Sequence, residues 1–197
     1  EYIKSGTCGS GLNWVFDRSG TLTIIETAGI LINWYDMNTH TAWKEYADDI
    51  VSVVVNNGME SIGAYAFSGL NNLTSVTISD TVTSIGEYAF DGDKEILSLK
   101  LSENIEFMGH NAFGKCIGIT EVKIPKSLDR CSTYSSWNGD CKEGVFTGCS
   151  NLKTVTFEKG TTQIAERLFF ACESIENIEI PDTVVEIEYE AFADCVN

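Results

Sequence analysis

From about residue 49 onward the apolar positions recur in a fixed spacing, apolar-x-x-apolar-x-apolar. It is met as Ile50/Val53/Val55, Leu73/Val76/Ile78, Ile96/Leu99/Leu101, Ile119/Val122/Ile124, Leu152/Val155/Phe157 and Ile175/Ile178/Ile180. The last two members of each set alternate with other side chains, the signature of a half-buried strand. A second inward pair follows each set: Met59/Ile62, Val82/Ile85, Ile105/Met108, Leu128/Cys141, Thr161/Ile164 and Val184/Ile187. The tract around Gly63, Gly86 and Gly109, just before Ala-Phe, is too short for a long helix. It is expected to be a short extended or single-turn segment, closed by a turn at Ser68-Gly69, Asp91-Gly92 or Thr147-Gly148.

A column of phenylalanines fixes the register. Phe67, Phe90 and Phe113 are 23 residues apart, and so are Phe146, Phe169 and Phe192. The longer step from Phe113 to Phe146 places ten extra residues in one turn, at about 130–139. A period of this length means a solenoid, because a single turn cannot enclose its own apolar side chains but stacked neighbours enclose each other's. Adjacent coils are expected ~4.8 Å apart, the strand-to-strand spacing.

The repeated unit, I-G-x-x-A-F-x-G-C-x-x-L-x-x-V-x-I-P-x-x-V-x-x-I, resembles the BspA-like class of leucine-rich repeats of bacterial and protist surface proteins. The resemblance covers residues 49–197 in successive near-matches. It implies a β-rich, right-handed leucine-rich-repeat solenoid of 23-residue repeats, secreted or displayed at the cell surface. It further implies adhesion or protein recognition, without enzymatic activity or a cofactor.

Residues 1–48 do not follow the period. Two alternating runs, Leu12-Asn13-Trp14-Val15-Phe16 and Thr21-Leu22-Thr23-Ile24, flank Asp17-Arg18-Ser19-Gly20 and predict a β-hairpin. Such a hairpin is expected to cap the apolar end of the array, as solenoid ends require. Trp34, Tyr35, Trp43 and Tyr46 follow, with a short helix expected over 41–49 and cap packing rather than ligand stacking as the role of the aromatics. At the other end Cys195-Val196-Asn197 falls in mid-turn, so the last repeat is incomplete. The expectation is a portion of a longer protein whose Ile175/Ile178/Ile180 set forms an apolar edge.

Composition narrows the partners. A formal charge of −16 argues against nucleic acid and against anionic lipid, and no apolar run is long enough to enter a membrane directly. A basic partner, a cation or the solubility of a secreted surface remains compatible.

Of the seven cysteines, Cys116, Cys149, Cys172 and Cys195 share one column, which Leu70 and Asp93 fill in earlier turns. A line of single thiols suits packing rather than a metal, whose ligands must converge. Cys131 and Cys141 bracket the extra residues and would close a disulfide loop in an oxidising compartment; alternatively Cys141 is buried alone in the inward column. Cys8 has no evident partner.

Catalytic chemistry is thin. His40 and His110 lack partners at metal or nucleophile spacing, and His110 is expected at the surface. Asp91-Gly92-Asp93 lacks the further oxygens of a calcium loop and reads as a turn. Asn72-Leu73-Thr74 matches a glycosylation triplet, but Leu73 faces inward.

Two surfaces are left for a ligand. Side chains alternating with the core include Ser75, Thr77, Lys100, Lys123, Thr154 and Thr156, a polar ribbon without the aromatic and Arg enrichment of strong hot spots. The extra segment holds Tyr134 and Trp137 among Ser, Thr and Asn, a composition close to that of adaptable recognition loops, unless both rings fold back onto the coil. Together these features predict a non-catalytic extracellular binding or adhesion module for a protein or for a host or matrix surface ligand. The alternative is a structural spacer presenting domains beyond residue 197.

Overall fold

The computed structural model describes residues 1–7, 12–26, 42–132, 134–135 and 142–196. The chain opens with β1 (Tyr2–Thr7), β2 (Leu12–Asp17) and β3 (Thr21–Glu26), paired antiparallel in that order. The hairpin joining β2 to β3 closes on Asp17, whose carboxylate accepts from the N–H groups of Ser19 and Thr21 at 2.9 and 3.0 Å. Gly20, at φ 78°, supplies the left-handed residue that the turn needs. β1 carries no clear alternation in the sequence, and it stands exposed at the outer edge of this sheet.

Each coil after that contributes one longer and one two-residue strand. These are β4 (Ser52–Val55) and β5 (Ser61–Ile62), β6 (Ser75–Ile78) and β7 (Ser84–Ile85), β8 (Ser98–Lys100) and β9 (Phe107–Met108), and β10 (Glu121–Ile124) and β11 (Arg130–Cys131). Within the extra segment β12 (Tyr134–Ser135) pairs antiparallel with β13 (Lys142–Glu143). The last two coils carry β14 (Thr154–Phe157), β15 (Gln163–Ile164), β16 (Asn177–Glu179) and β17 (Glu186–Ile187). Strands of successive coils pair parallel, as in Ser52↔Ser75 and Ser75↔Ser98. Among the described residues there is no α-helix; the expected short helix is a single 3-10 turn over Lys44–Tyr46.

The core is the predicted one. Val53, Val55, Val76, Ile78, Val122 and Ile124 are buried while their strand neighbours point outward. Phe67, Phe90, Phe113, Phe146, Phe169 and Phe192 stack in one file with ring centroids 5.0–5.6 Å apart. Trp43 continues that file, lying 5.3 Å from Phe67, and Tyr46 packs on Trp14 and Phe16 of β2. Trp43 thus packs against the first coil, and Tyr46 against the hairpin. At the other end Ile178 on β16, Ile180 just after it and Ile187 on β17 are exposed at the sheet edge.

Two residues before five of the six phenylalanines the backbone turns left-handed, at Tyr65, Tyr88, Asn111, Arg167 and Glu190, with φ between 49° and 58°; Gly144, before Phe146, does not. Such a conformation costs a residue with a side chain roughly 1–2 kcal/mol. It lets Tyr65 and Phe67 donate to the carbonyls of Glu87 and Ala89 in the next coil at 2.9 and 2.8 Å, a pattern that Arg167 and Phe169 repeat towards Tyr189 and Ala191.

Three expectations need correcting. Arg130 and Cys131 pair with Phe107 and Met108, so Cys131 rather than Cys141 follows Leu128 in the inward column, and the extra residues enter after Ser132 rather than at 130. His110 is not at the surface: it is 8% exposed, edge-on to the ring of Tyr88. Asp93, by contrast, lies where the column of small buried residues placed it and is fully buried.

Candidate functional site: a parted ladder on the strand face

The long strands do not form one sheet. One sheet runs β1-β2-β3-β4-β6-β8 and a second runs β10-β14-β16, so the ladder parts between β8 and β10. Elsewhere the same two coils are in close contact. Phe90 and Phe113 stack at 5.0 Å, and β9 pairs with both β7 and β11. A Cβ on Gly118 would stand 2.7 Å from the carbonyl oxygens of Lys94 and Ile96. Only the strand face opens.

Local chemistry accounts for part of this opening. In neighbouring coils the residue after each strand closes the ladder: Ser79 N–H donates to Val55 at 3.1 Å and Glu158 N–H to Ile124 at 2.8 Å. The corresponding donor towards Leu101 is residue 125, a proline, which has no N–H. Pro181 stands in the same place opposite Phe157, and there β16 stops after three residues. On the other wall Ser102 turns inward and its hydroxyl donates to the Val82 carbonyl at 2.7 Å, drawing Leu101 and Ser102 away from the strand line.

The result is a cleft of about 210 Å³ walled by Leu99, Leu101 and Pro125, with Lys100 and Lys123 at its mouth. Both lysines are exposed, and neither forms an ion pair among the described residues. Glu158 also reaches the cleft, but it is held by Lys126, whose N–H donates to Oε2 at 3.1 Å and whose ammonium lies 3.5 Å from Oε1. That N–H, aided by the charges of Lys126 and Lys123, holds the Glu158 carboxyl below its ordinary range. Glu103 completes the rim.

Of the residues expected to meet a ligand, Ser75 and Thr77 lie half-buried on β6, Thr154 and Thr156 likewise on β14, and Lys100 and Lys123 between them. These six share one face. Tyr134 belongs to β12 by its backbone, while Trp137 and Cys141 lie outside the described residues, as do Cys8, Trp34, Tyr35 and His40. Leu99, Leu101 and Pro125 were missed as cleft walls. The available signal was a proline in a column where other coils carry a hydrogen-bond donor.

Other polar groups are bound into the scaffold. The Tyr88 hydroxyl donates to Glu143 Oε2 at 2.7 Å, and burial raises the phenol well above its ordinary range. Arg167 Nε lies 2.8 Å from Glu190 Oε2 and its guanidinium faces the Tyr189 ring at 5.5 Å. The Cys116, Cys149 and Cys172 thiols each donate to a phenylalanine carbonyl at 3.1 Å, from Phe90, Phe113 and Phe146 respectively. Among the described residues no group of three His, Cys, Asp or Glu side chains is placed to hold a metal ion.

The family model for the BspA type leucine rich repeat region matches residues 42–142 and 140–197 in six copies. The chain belongs to the BspA-type leucine-rich repeat family. Among solved structures, this BspA-type chain is similar in fold to a leucine-rich repeat protein from Treponema pallidum, at 19% identity and TM-score 0.61, over 96% of this chain and 89% of that one. A leucine rich cell surface protein from Faecalibacterium prausnitzii is 23% identical, with TM-score 0.59, over 99% of this chain and 53% of its own. One from Eubacterium ventriosum is 19% identical, with TM-score 0.58, over 96% and 63%. The chain thus spans between half and two thirds of the length of the latter two. No curated protein matches it.

Proposed function

We propose that this BspA-type chain is a non-catalytic binding module: a right-handed solenoid of 23-residue turns, capped by the hairpin of residues 1–48 and displayed outside the cell to engage a protein ligand. The observation that carries this reading is the parted strand ladder, where two unpaired lysines and an apolar cleft interrupt a Ser/Thr face. Interfaces gather their energy at a few desolvated pockets, and this cleft is such a pocket on an otherwise polar face. A net charge of −16 makes unpaired cations here locally distinctive. The cell-surface description of the F. prausnitzii neighbour and the absence, among the described residues, of a helix able to cross a membrane agree with display.

The test is a microarray of extracellular matrix and epithelial surface proteins, probed with the chain and with the double charge reversal Lys100→Glu, Lys123→Glu. Saturable binding lost on charge reversal supports the module. No binding to any arrayed protein, or equal binding by both forms, overturns it in favour of a spacer.

A further inference from the structure

We propose that the opening between β8 and β10 receives an extended acidic peptide segment as an added strand. The proposal rests on the binding-module reading above and assigns its ligand a chemical class. In the ladder between β4 and β6, the Val51 carbonyl accepts from the N–H groups of Thr74 and Ser75, and the Val55 carbonyl from Ser79. The corresponding acceptors flank β8 at Leu97 and Leu101, and the corresponding donors are Thr120, just before β10, and Glu121 at its start. None of these bonds forms between β8 and β10. Two strand edges therefore face one cleft with their ladder groups unused, and a main chain in extended conformation supplies the complementary donors and acceptors to both.

Side-chain alternation sets the preference. The Thr77↔Lys100 register on β8, continued by the same column on β10, puts Lys100 and Lys123 level with each other on the outward side. A carboxylate on the outward side of an added strand would lie between them. The inward side meets Leu99 and Leu101, of which Leu99 is only half-buried, and this favours a small or β-branched apolar residue on either side of the acid. Glu158 is hydrogen-bonded and ion-paired to Lys126, and neither Lys100 nor Lys123 is within ion-pair distance of it, although the Lys123 charge acts on its carboxyl.

The probe is a blocked hexapeptide that alternates valine with threonine and carries one central glutamate; its control carries lysine instead. Titration with hydrogen-exchange readout is expected to show saturable binding of the glutamate peptide and slowed exchange at the N–H groups of Thr120 and Glu121. The control and the Lys100→Glu, Lys123→Glu form should bind roughly tenfold or more weakly. Pro125→Ser returns the donor that Ser79 supplies in its own coil; it is expected to close the ladder onto Leu101 and weaken the peptide, with an unchanged or higher melting temperature. Absence of saturable binding, or binding without protection at Thr120 and Glu121, overturns strand addition. If that happens while arrayed proteins still bind in a charge-dependent way, the binding module stands and only its mode of recognition is wrong.

Discussion

The carboxyl of Asp93 accepts a 2.8 Å hydrogen bond from the N–H of Leu70, one coil earlier, from a position with no solvent exposure. Burial pushes this carboxyl up to about 9, against the hydrogen bonds from Leu70 and Gly69 that favour ionisation. Asp93 is therefore protonated in the folded protein at neutral pH and ionised in the unfolded chain. A folded-state pKa above the unfolded one gives stability that is complete below about pH 4 and lost as pH rises towards 9. Asp93→Asn removes that dependence. Denaturant melts from pH 5 to 8 should show the variant gaining on the native chain by about 1 kcal/mol per pH unit. Parallel curves would show that the group titrates normally.

Phe113 sits between Phe90 at 5.0 Å and Phe146 at 5.4 Å, fully buried. Phe113→Ala should cost about 3–5 kcal/mol, because the coils on either side cannot collapse into the space without breaking their backbone bonds. Thr77→Ala, on the outward side of β6, should change stability by less than about 0.5 kcal/mol. Equal losses in the two melts would contradict the inward and outward assignment.

The cysteine column predicts a chemical result. Burial pushes the Cys149 thiol up to about 12 and raises Cys116 and Cys172 as well, so almost no thiolate exists at neutral pH. Iodoacetamide is expected to leave Cys149 and Cys172 unlabelled in the native protein and to label both after unfolding. Rapid native labelling of either would place it outside the core.

The extra segment between Ser132 and Gly144 is a second, separate proposal for ligand contact. We expect Tyr134→Ala with Trp137→Ala to leave stability within about 0.5 kcal/mol while weakening microarray binding. A collapsed melt would assign the rings to the core, and unchanged binding with an intact fold would leave the β8/β10 cleft as the contact. The pairing of Cys131 with Cys141 remains a proposal of the same kind, read out by the mass shift on reduction and alkylation.

Apart from the coil with the extra residues, where Cys131 and not Cys141 takes the inward place, the inward residues, the phenylalanine file and the outward Ser/Thr/Lys face were legible because each follows from a periodicity repeated coil after coil, and the hairpin from its own alternation. The lysines at 100 and 123 could be named as outward residues for the same reason. What the tertiary structure alone decided is how neighbouring coils meet. Whether Leu101 finds a donor depends on Pro125, a residue in another coil, and on Ser102 turning inward to Val82. The left-handed backbone at Tyr65, Tyr88 and Arg167 has no glycine to announce it, since its reward is a hydrogen bond to the next coil. The burial of His110 depends likewise on the Tyr88 ring one coil before it. Periodicity specifies which face of each coil is buried; the contacts between coils, on which the parting of the ladder depends, exist only once the coils are stacked.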